Sequence, residues 1–553
     1  MQRAHNSYLR YASNDFCIIH NSPMTSLFTL LSIFFVTFTD KQGSAPIVFS
    51  DRAVEQRTKW DIPTDSLDYA VSTTYIDSVR ALGGKIMHLS RWMNGATVEC
   101  EDSIANKIAA CSFVKDIEQT RNETDSRRYL YRKQDFLHSS DVDMAQGTDA
   151  QLALYNLQPL LAAGYKGNGI VMTVIDGGFH NYPVGEHSGN SLSNTFDTAH
   201  WLGSYDFTDD TTNFYGATGY HGTMCLSLIA GDCPGTQESP PAKKSPFQGD
   251  LEGFPGTQAS PPASKEVRSP GRTKRSYPNS AQQDTEENTY LGAAPAADYY
   301  LMRSEEEGKE SPKEMDNLVA ALEKADSLGV NIASISLGYS VFDNEEWDFG
   351  YADMNGQTTR CSQAAQIAAR KGMLVCVAAG NEGNKEWHYL TAPADADSIL
   401  CVGAVDSEGT IAAFSSRGPS SDGRVKPDVC AVGSGSCIIR PSDGTIQYGN
   451  GTSFACPLIA GMAACIWSAL PDLNAMEIRR RIICSADRYH NPDADYGHGI
   501  PNAWLAYLGV ESATNTTQNT NTQHYQKIYR NGTLFILRDG QWYDVMGRKV
   551  RLR

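Results

Sequence analysis

The sequence has 553 residues, 41% of them hydrophobic, so it is long and apolar enough to form more than one globular domain. Its formal net charge is -17 and its isoelectric point is near 5.2. No concentrated stripe of lysine or arginine occurs, which argues against a nucleic-acid-binding protein because phosphate binding needs a basic face. The composition therefore excludes wholesale disorder and predicts a mainly globular, acidic protein.

Near the N-terminus lies an apolar run, "MTSLFTLLSIFFVTF" (24–38), followed by the small residues "GSA" (43–45). The run is shorter than the roughly 20 residues that a membrane-spanning helix needs, and small residues are typical of a signal-peptide cleavage site. We expect residues 1–45 to be a signal peptide region that exports the protein to the cell envelope or the medium, with no membrane span in the mature form. An uncleaved membrane anchor is the alternative.

Residues 46–120 alternate helical and strand patterns, which predicts a small α+β module. A polar stretch at 120–143 reads as an exposed linker open to cleavage, so we assign 46–145 to this module and its linker.

From about residue 146 to 510 the pattern is different. Helical segments such as "EMDNLVAALEKADSLG" (314–329) separate five short apolar runs: "GIVMTVID" (169–176), "ADYYLMR" (297–303), "VNIASISLG" (330–338), "GMLVCVAAG" (372–380) and "SILCVGAV" (398–405). Apolar strands alternating with helices predict an α/β fold with a doubly wound, mainly parallel sheet covered on both faces. In such sheets ligand chemistry gathers at the carboxyl ends of the strands.

Two segments depart from this pattern. Residues 232–289 hold nine of the 24 prolines and an internal repeat, "PGTQESPPAKKS" against "PGTQASPPASKE", which predicts a disordered surface insertion. Residues 511–553 form a polar linker and a β-rich tail, in which Asn531-Gly532 and Asp539-Gly540 are hairpin signals for a three-stranded meander.

The 13 cysteines show no CxxC or metal-type spacing, and several lie inside apolar runs where cysteine serves as a small core residue. The sequence does not assign any disulfide pairing.

Three residues of one predicted sheet supply an acid, a base and a nucleophile. Asp176 ends a strand, His221 begins an apolar helical run, and Ser453 lies in "GNGTSFACPLIAG" (449–461) between a Gly-rich turn and a helix. Taken singly, Ser453 reads more simply as a helix N-cap and His221 as a surface or core histidine. Together they supply the groups that nucleophilic acyl transfer needs.

The motifs "VIDGGF", "HGT" and "GTSFACP", in this order, resemble the three active-site motifs of the subtilases, the subtilisin-like serine proteases. The resemblance extends over roughly residues 150–510 and includes "SISLG" (334–338) and "AAGNEG" (378–383). An α/β-hydrolase esterase is excluded, because its nucleophile comes first in the chain and sits in G-x-S-x-G.

The resemblance implies a role for each matching residue. Ser453 would be the nucleophile, His221 the general base, Asp176 the group that orients the imidazole, and Asn381 the donor to the oxyanion. Two segments would line the substrate cleft and bind peptide backbone: Ser336, Leu337 and Gly338 on one side, Ala378, Ala379 and Gly380 on the other. Tyr339 departs from the family pattern, where a second glycine is usual, and so does the acidic, aromatic stretch 341–356 that follows it.

The resemblance also has implications for the two ends of the chain and for cofactors. The module at 46–120 is similar to subtilase prosegments, which act as intramolecular inhibitors, and the tail resembles sorting domains of Bacteroidetes-type secreted proteins, a plain β appendage being the alternative. The chemistry requires no cofactor and no catalytic metal. Subtilases often bind structural calcium, but no carboxylate spacing here identifies a ligand set.

The sequence therefore predicts a secreted serine endopeptidase, made as a proenzyme, that cuts protein or peptide substrates. The alternative is a non-catalytic exported binding protein with the same fold.

Overall fold

A computed structural model describes residues 31–122, 147–208, 214–216, 219–233, 290–306, 308–510, 526–530, 533–538, 541–544 and 549–550. Most of the predicted linker and nearly all of the predicted Pro-rich insertion lie outside these residues.

The N-terminal domain is an antiparallel four-stranded sheet with three helices. Its strands are β1 (Ser32–Phe38), β2 (Lys85–Ser90), β3 (Gly95–Cys100) and β4 (Val114–Asn122), in the order β2-β3-β1-β4. Its helices are α1 (Asp51–Lys59), α2 (Thr73–Leu82) and α3 (Asp102–Ala109). The α+β character of the module is as the sequence predicts.

The boundary predicted at residue 45 needs correction. Strand β1 is the second half of the apolar run, and it pairs with both β3 and β4 near the middle of the sheet. Cleavage after "GSA" (43–45) would remove this buried strand from the domain. An apolar run of this length fits a strand as well as a signal segment, and hydrophobicity alone does not separate the two. The described N-terminal domain therefore includes Ser32–Phe38 and does not begin at residue 46; the export signal itself stays a prediction.

The large domain is built on a seven-stranded sheet in the order β13-β12-β11-β10-β5-β9-β6, and every neighbouring pair is parallel. These strands are β5 (Val171–Asp176), β6 (Trp201–Asp206), β9 (Asp298–Arg303), β10 (Ile332–Ile335), β11 (Leu374–Ala378), β12 (Leu400–Val405) and β13 (Val429–Val432). Two short antiparallel pairs accompany the sheet: β7 (Asp232–Cys233) with β8 (Tyr290–Leu291), and β14 (Ser436–Ile439) with β15 (Ile446–Gly449).

Helices cover both faces of the sheet, as the near-continuous apolar strands predict. They are α4 (Gly147–Ala153), α5 (Gln158–Ala162), α6 (Tyr220–Ala230), α7 (Lys313–Leu328), α8 (Arg360–Arg370), α9 (Thr452–Ala469), α10 (Ala475–Cys484) and α11 (Ala503–Leu508). Alternate residues of β5 enter the two cores: Met172 and Val174 lie with α6 and α9, whereas Val171 and Ile175 lie with α7 and α8. This arrangement confirms the doubly wound α/β fold.

Pairing of β7 with β8 joins the two ends of the predicted insertion, since Cys233 lies opposite Tyr290. Residues 232–233 therefore belong to a strand rather than to the insertion. In the tail, β16 (Gln526–Arg530), β17 (Thr533–Arg538), β18 (Gln541–Asp544) and β19 (Lys549–Val550) form an antiparallel sheet in chain order. It has one strand more than predicted.

Within the described part of the chain, one helix is long and apolar enough to cross a membrane. It is α9, and 89% of that stretch is buried inside the domain, as expected for a core helix.

Buried ion pairs join the N-terminal domain to helix α7. Glu323 accepts hydrogen bonds from Ser90 Oγ (2.6 Å), from the backbone nitrogens of Arg91 and Trp92 (3.0 and 3.1 Å), and from the Arg91 guanidinium (3.1 Å). The Arg91 and Glu323 side chains are 6% and 9% exposed. Glu323 is thus the main acceptor of this part of the interface.

We expect Glu323→Ala to lower the free energy of unfolding by about 2–4 kcal/mol: Arg91 keeps Asp326 as a partner (2.5 Å), but the Ser90 hydroxyl and the backbone N–H groups of Arg91 and Trp92 lose their buried acceptor. Chemical unfolding of the full chain, in a Ser453→Ala background that removes the predicted nucleophile, measures the change. The control is Glu99→Ala, which breaks the pair that Glu99 forms with Lys85 (72% exposed) and should cost less than about 1 kcal/mol. Equal losses in the two variants would contradict this account of the interface.

Candidate active site

Asp176 is the last residue of β5, at the carboxyl edge of the sheet. The chain passes from β9, on one side of β5, through α7 to β10 on the other side, so the strand order reverses here and a crevice opens. The Asp176 side chain is fully buried, and its Oδ1 accepts hydrogen bonds from Gly177 N (2.7 Å) and His221 Nδ1 (2.8 Å). A buried carboxylate therefore holds one nitrogen of the imidazole.

His221 is the second residue of α6, and the glycine after it explains how close the helix comes to β5. A Cβ on Gly222 would lie 2.5 Å from Gly178 O and 3.0 Å from Asp176 Cβ, so a larger residue would push the two elements apart. Burial lowers the pKa of His221, whereas the charge of Asp176, the neighbouring Cys225 and the hydrogen bonds to both raise it, and together they hold the pKa well above the ordinary value. The site thus stabilises the protonated imidazole that forms when His221 accepts a proton.

Ser453 is the second residue of α9, and the N-cap of that helix is Gly451. The N-cap alternative for Ser453 is therefore wrong. Within the described residues, the Ser453 Oγ atom is buried and has no hydrogen-bond partner. A hydroxyl held in this way is not committed to a structural bond.

The backbone carbonyl of Ser453 has unusual partners because of Pro457. In an α-helix this carbonyl would accept a hydrogen bond from the N–H of residue 457, but proline has none. Instead, Ser336 Oγ donates to Ser453 O at 2.9 Å and Cys225 Sγ donates at 3.3 Å. A side chain at the end of β10 and one on α6 thus fix the backbone at the predicted nucleophile.

Asn381 lies beside the start of the same helix. Its Oδ1 accepts hydrogen bonds from Thr452 N (2.9 Å) and Thr452 Oγ1 (3.0 Å). Because the oxygen faces Thr452, the amide –NH2 group is the part of the side chain that can donate to a ligand. Asn381 thus lies next to Ser453 with a donor available.

The two cleft segments, residues 336–338 and 378–380, come from neighbouring parallel strands. Ile335 lies opposite Val377 in the pairing of β10 with β11, so both segments leave the sheet at the same edge. Ser336, Ala378 and Ala379 are buried, Leu337 and Gly380 are half-buried, and Gly338 is exposed. The structure thus brings all ten residues singled out in the sequence to the carboxyl edge of the sheet.

Two residues that the sequence analysis did not select also contact this site. Cys225 Sγ lies 3.8 Å from both ring nitrogens of His221. The sequence could have indicated this contact, because Cys225 lies four residues after His221 and both side chains are therefore on one face of the helix. Tyr339, noted only as a departure from the family, is buried and donates from its hydroxyl to Glu305 Oε1 at 2.5 Å.

Among the described residues, two groups of side chains have candidate metal-ligand atoms within 4.8 Å of one another. One is Asp176, His221 and Cys225; the other is Glu305, Glu310 and Glu314. The carboxylates of the second group also serve as acceptors within the protein, from Tyr339 Oη and from Glu306 N (2.8 Å). The structural calcium implied by the resemblance stays a prediction.

Comparison with known proteins matches two parts of the chain to family models. Residues 167–499 match the subtilase family (peptidase family S8), and residues 33–134 match the S8 peptidase propeptide domain of Bacteroidota. The second match begins inside β1, which agrees with the corrected boundary of the N-terminal domain.

Several characterised proteins are similar to the large domain. Serine protease AprX of Bacillus subtilis is 32% identical over 197 residues, which are 32% of this chain and 42% of AprX. Subtilisin DY of Bacillus licheniformis is 32% identical over 220 residues, 39% of this chain and 70% of that protein. Alkaline elastase YaB of a Bacillus species is 30% identical over 216 residues, 39% of this chain and half of that protein. The chain thus spans less than two thirds of some of these relatives.

The family match covers more than half of the 553 residues and includes the Asp176, His221 and Ser453 motifs in their order, so the chain belongs to the subtilase family and carries its propeptide domain.

Proposed function

We propose that this protein is an exported serine endopeptidase, made as a proenzyme whose N-terminal domain is its intramolecular inhibitor. The observation that carries the proposal is the 2.8 Å hydrogen bond between buried Asp176 and His221. Cys225 Sγ contacts both the His221 ring (3.8 Å) and the Ser453 carbonyl (3.3 Å), and the Ser453 hydroxyl has no partner in the described structure. Membership in a family of serine proteases and the propeptide match support the proposal.

The proposed reaction begins when His221 takes the proton of Ser453 Oγ and that oxygen attacks the carbonyl carbon of a peptide bond. The negative charge that develops on the carbonyl oxygen is stabilised by the Asn381 amide and by the Ser453 backbone N–H at the positive end of α9. His221 then gives its proton to the leaving amine, the C–N bond breaks, and an acyl-enzyme remains. Water, activated by His221, hydrolyses the ester and restores the serine.

The last described strand of the N-terminal domain ends close to this site. Arg121, near the end of β4, pairs with Glu306 at 2.6 Å. Glu306 is two residues after Ser304, whose backbone nitrogen donates to Asp176 O at 3.1 Å. The end of β4 therefore lies near the edge of the sheet that carries Asp176, which supports the proposal of an inhibitory prosegment.

Labelling with a fluorophosphonate probe tests the proposal. We expect the processed protein from the medium or cell envelope to be labelled, and Ser453→Ala to abolish labelling. The matched control is Ser468→Ala on the same helix, where the hydroxyl only donates to Cys465 O (2.8 Å), and it should keep the label. Because Asp176 raises the pKa of His221, the labelling rate should increase as the pH rises through and above 6.5. A processed, folded protein without Ser453-dependent labelling would favour the non-catalytic alternative.

We expect Asn381→Ala to lower kcat with a comparatively small change in KM, because an oxyanion donor acts mainly on charge present in the transition state. For the corresponding donor in subtilisin the loss is about 10²–10³-fold, and a similar loss is expected here. Steady-state hydrolysis of a peptide substrate measures it. An unchanged kcat would remove Asn381 from the proposed mechanism.

Ser336 and Pro457 give a sharper prediction about the nucleophile. Without the Ser336 hydroxyl, the buried Ser453 carbonyl loses its shortest hydrogen bond at a cost of about 1–3 kcal/mol, so Ser336→Ala should lower kcat roughly tenfold. In a Pro457→Ala background, the new backbone N–H at position 457 can supply the missing helical bond, and the same Ser336→Ala change should cost less than about threefold. Measurement of kcat and KM for the four proteins forms a double-mutant cycle. Equal losses in both backgrounds would mean that Ser336 acts on the substrate alone.

A further inference from the structure

Arg303 is the last residue of β9, between two strands that also end in charged residues. Strand pairing places Arg303 in register with Asp176 at the end of β5 on one side, and with Asp206 at the end of β6 on the other. Residues in register on neighbouring parallel strands point to the same face of the sheet. An arginine therefore lies beside the proposed catalytic aspartate, with a second aspartate on its far side.

The Arg303 guanidinium bonds to both neighbouring strand ends. Its Nε donates to the carbonyl oxygen of Gly177, the residue after Asp176, at 3.2 Å, and its Nη1 donates to Asp206 Oδ2 at 2.9 Å. The Arg303 and Asp206 side chains are 12% and 0% exposed. Asp206 is held in turn by Thr208, whose backbone nitrogen and Oγ1 donate to Asp206 Oδ1 (2.9 and 2.6 Å). Arg303 is thus anchored on a fixed carboxylate and directs its Nε at Gly177.

Gly177 and Gly178 form the turn that follows Asp176. Neither residue has a side chain, and Gly178 has a φ of +149°, which other residues rarely adopt. Hydrogen bonds from other elements hold the three successive carbonyl groups: Ser304 N donates to Asp176 O (3.1 Å), Arg303 Nε to Gly177 O, and Gly222 N to Gly178 O (3.1 Å). Arg303 is the only side chain among these three donors, and it holds the middle of the turn.

The backbone of Gly177 also holds the Asp176 carboxylate. Gly177 N donates to Asp176 Oδ1 at 2.7 Å, and the same oxygen accepts the hydrogen bond from His221 Nδ1. In the described structure the other oxygen, Oδ2, is buried and has no hydrogen-bond partner. The orientation of the carboxylate therefore depends on Gly177, and a rotation of this residue would turn Asp176 away from the imidazole.

We propose that Arg303 is a positioning residue for the proposed peptidase reaction: by holding Gly177 O, it fixes the turn whose N–H orients Asp176 towards His221. The inference rests on the proposed function and adds a residue to it. Arginine suits this position because its planar guanidinium carries donors in a fixed geometry, so that one side chain can bond a carboxylate and direct a second donor at a carbonyl. A displacement of about 1 Å in a catalytic group can lower the rate by about 100-fold.

Two variants of equal charge isolate the bond to Gly177. Both carry Asp206→Asn, so that replacing Arg303 leaves no buried carboxylate without its cation. Arg303→Gln places an amide nitrogen as many bonds from the backbone as Arg303 Nε, so it can still donate to Gly177 O. Arg303→Met places a methyl group there. The two variants therefore differ in one hydrogen-bond donor at nearly constant size.

NMR spectroscopy observes the hydrogen bond between Asp176 and His221 directly, because a proton shared by an imidazole and a carboxylate resonates far downfield of amide protons. The full chain with Ser453→Ala is used, so that the measurement needs no activity, and loss of the signal in His221→Ala assigns it. We expect the Gln variant to keep the signal and the Met variant to lose or shift it. The control, Arg488→Met with Asp493→Asn, removes an ion pair of 2.9 Å that is 40% and 41% exposed, and should leave the signal unchanged.

Kinetics in the chain with Ser453 intact provide the second readout. We expect kcat for a peptide substrate to be at least about tenfold lower in the Met variant than in the Gln variant, with KM values within about threefold of each other. An ion pair that is only structural would lower the thermal stability of both variants without separating their kcat values.

The outcomes separate this inference from the proposed function. Equal NMR signals and equal kcat values in the Met and Gln variants overturn the role of Arg303 and leave the peptidase in place. Failure of the Met variant or of both variants to fold also overturns that role, because Arg303 would then serve the fold. Absence of Ser453-dependent labelling overturns the peptidase, and the NMR comparison still decides whether Arg303 orients Asp176 towards His221.

Discussion

The missing N–H of Pro457 is the constraint from which the arrangement of the site follows. An α-helix that starts at the edge of a parallel sheet leaves its first N–H groups free to bind an anion, and Ser453 and Asn381 use that end of α9. Proline in the second turn also frees the carbonyl of Ser453, which is buried and must find donors elsewhere. Ser336 and Cys225 provide them, one from β10 and one from α6. Ser453, the proposed nucleophile, is thus tied to two other elements through its backbone carbonyl, while its hydroxyl has no hydrogen-bond partner in the described structure.

The histidine is placed by an equally local requirement. Helix α6 can approach β5 only because Gly222 has no side chain, and this approach brings His221 Nδ1 to 2.8 Å from Asp176. Cys225, one turn later on α6, then contacts both the imidazole and the Ser453 carbonyl. Its thiol therefore lies between the His221 ring and the Ser453 backbone, and it connects two motifs that are 232 positions apart in the sequence.

Much of the site could be predicted from the sequence, because the carboxyl ends of parallel strands meet at one edge of the sheet. Each of the three motifs also lies at a recognisable strand end or helix start. The fold class, the family and the grouping of Asp176, His221 and Ser453 needed no knowledge of packing. The role of strand β1 could not be predicted in this way, because the run at 24–38 has the hydrophobicity of a signal segment. Only its pairing with β3 and β4 identifies residues 32–38 as a strand. Tyr339 was equally unpredictable: its partner Glu305 is 34 positions away, and a buried phenol beside a carboxylate leaves no local pattern.

Each of the two domains contributes both a cation and an anion to the buried ion pairs between them. Arg57 of the N-terminal domain pairs with Asp326 of α7 (2.9 Å), whereas Asp68 of the N-terminal domain pairs with Lys371 after α8 (2.9 Å). Arg57 also lies 3.1 Å from Asp68, so the two pairs form one buried network. The cost of removing buried ions from water is offset only while every ion keeps its partners. Breaking one pair of such a network is therefore unfavourable, and the pairs are expected to break together. If the chain between them is cut, the propeptide domain should therefore separate from the subtilase domain in a single step, in which all these ion pairs break together.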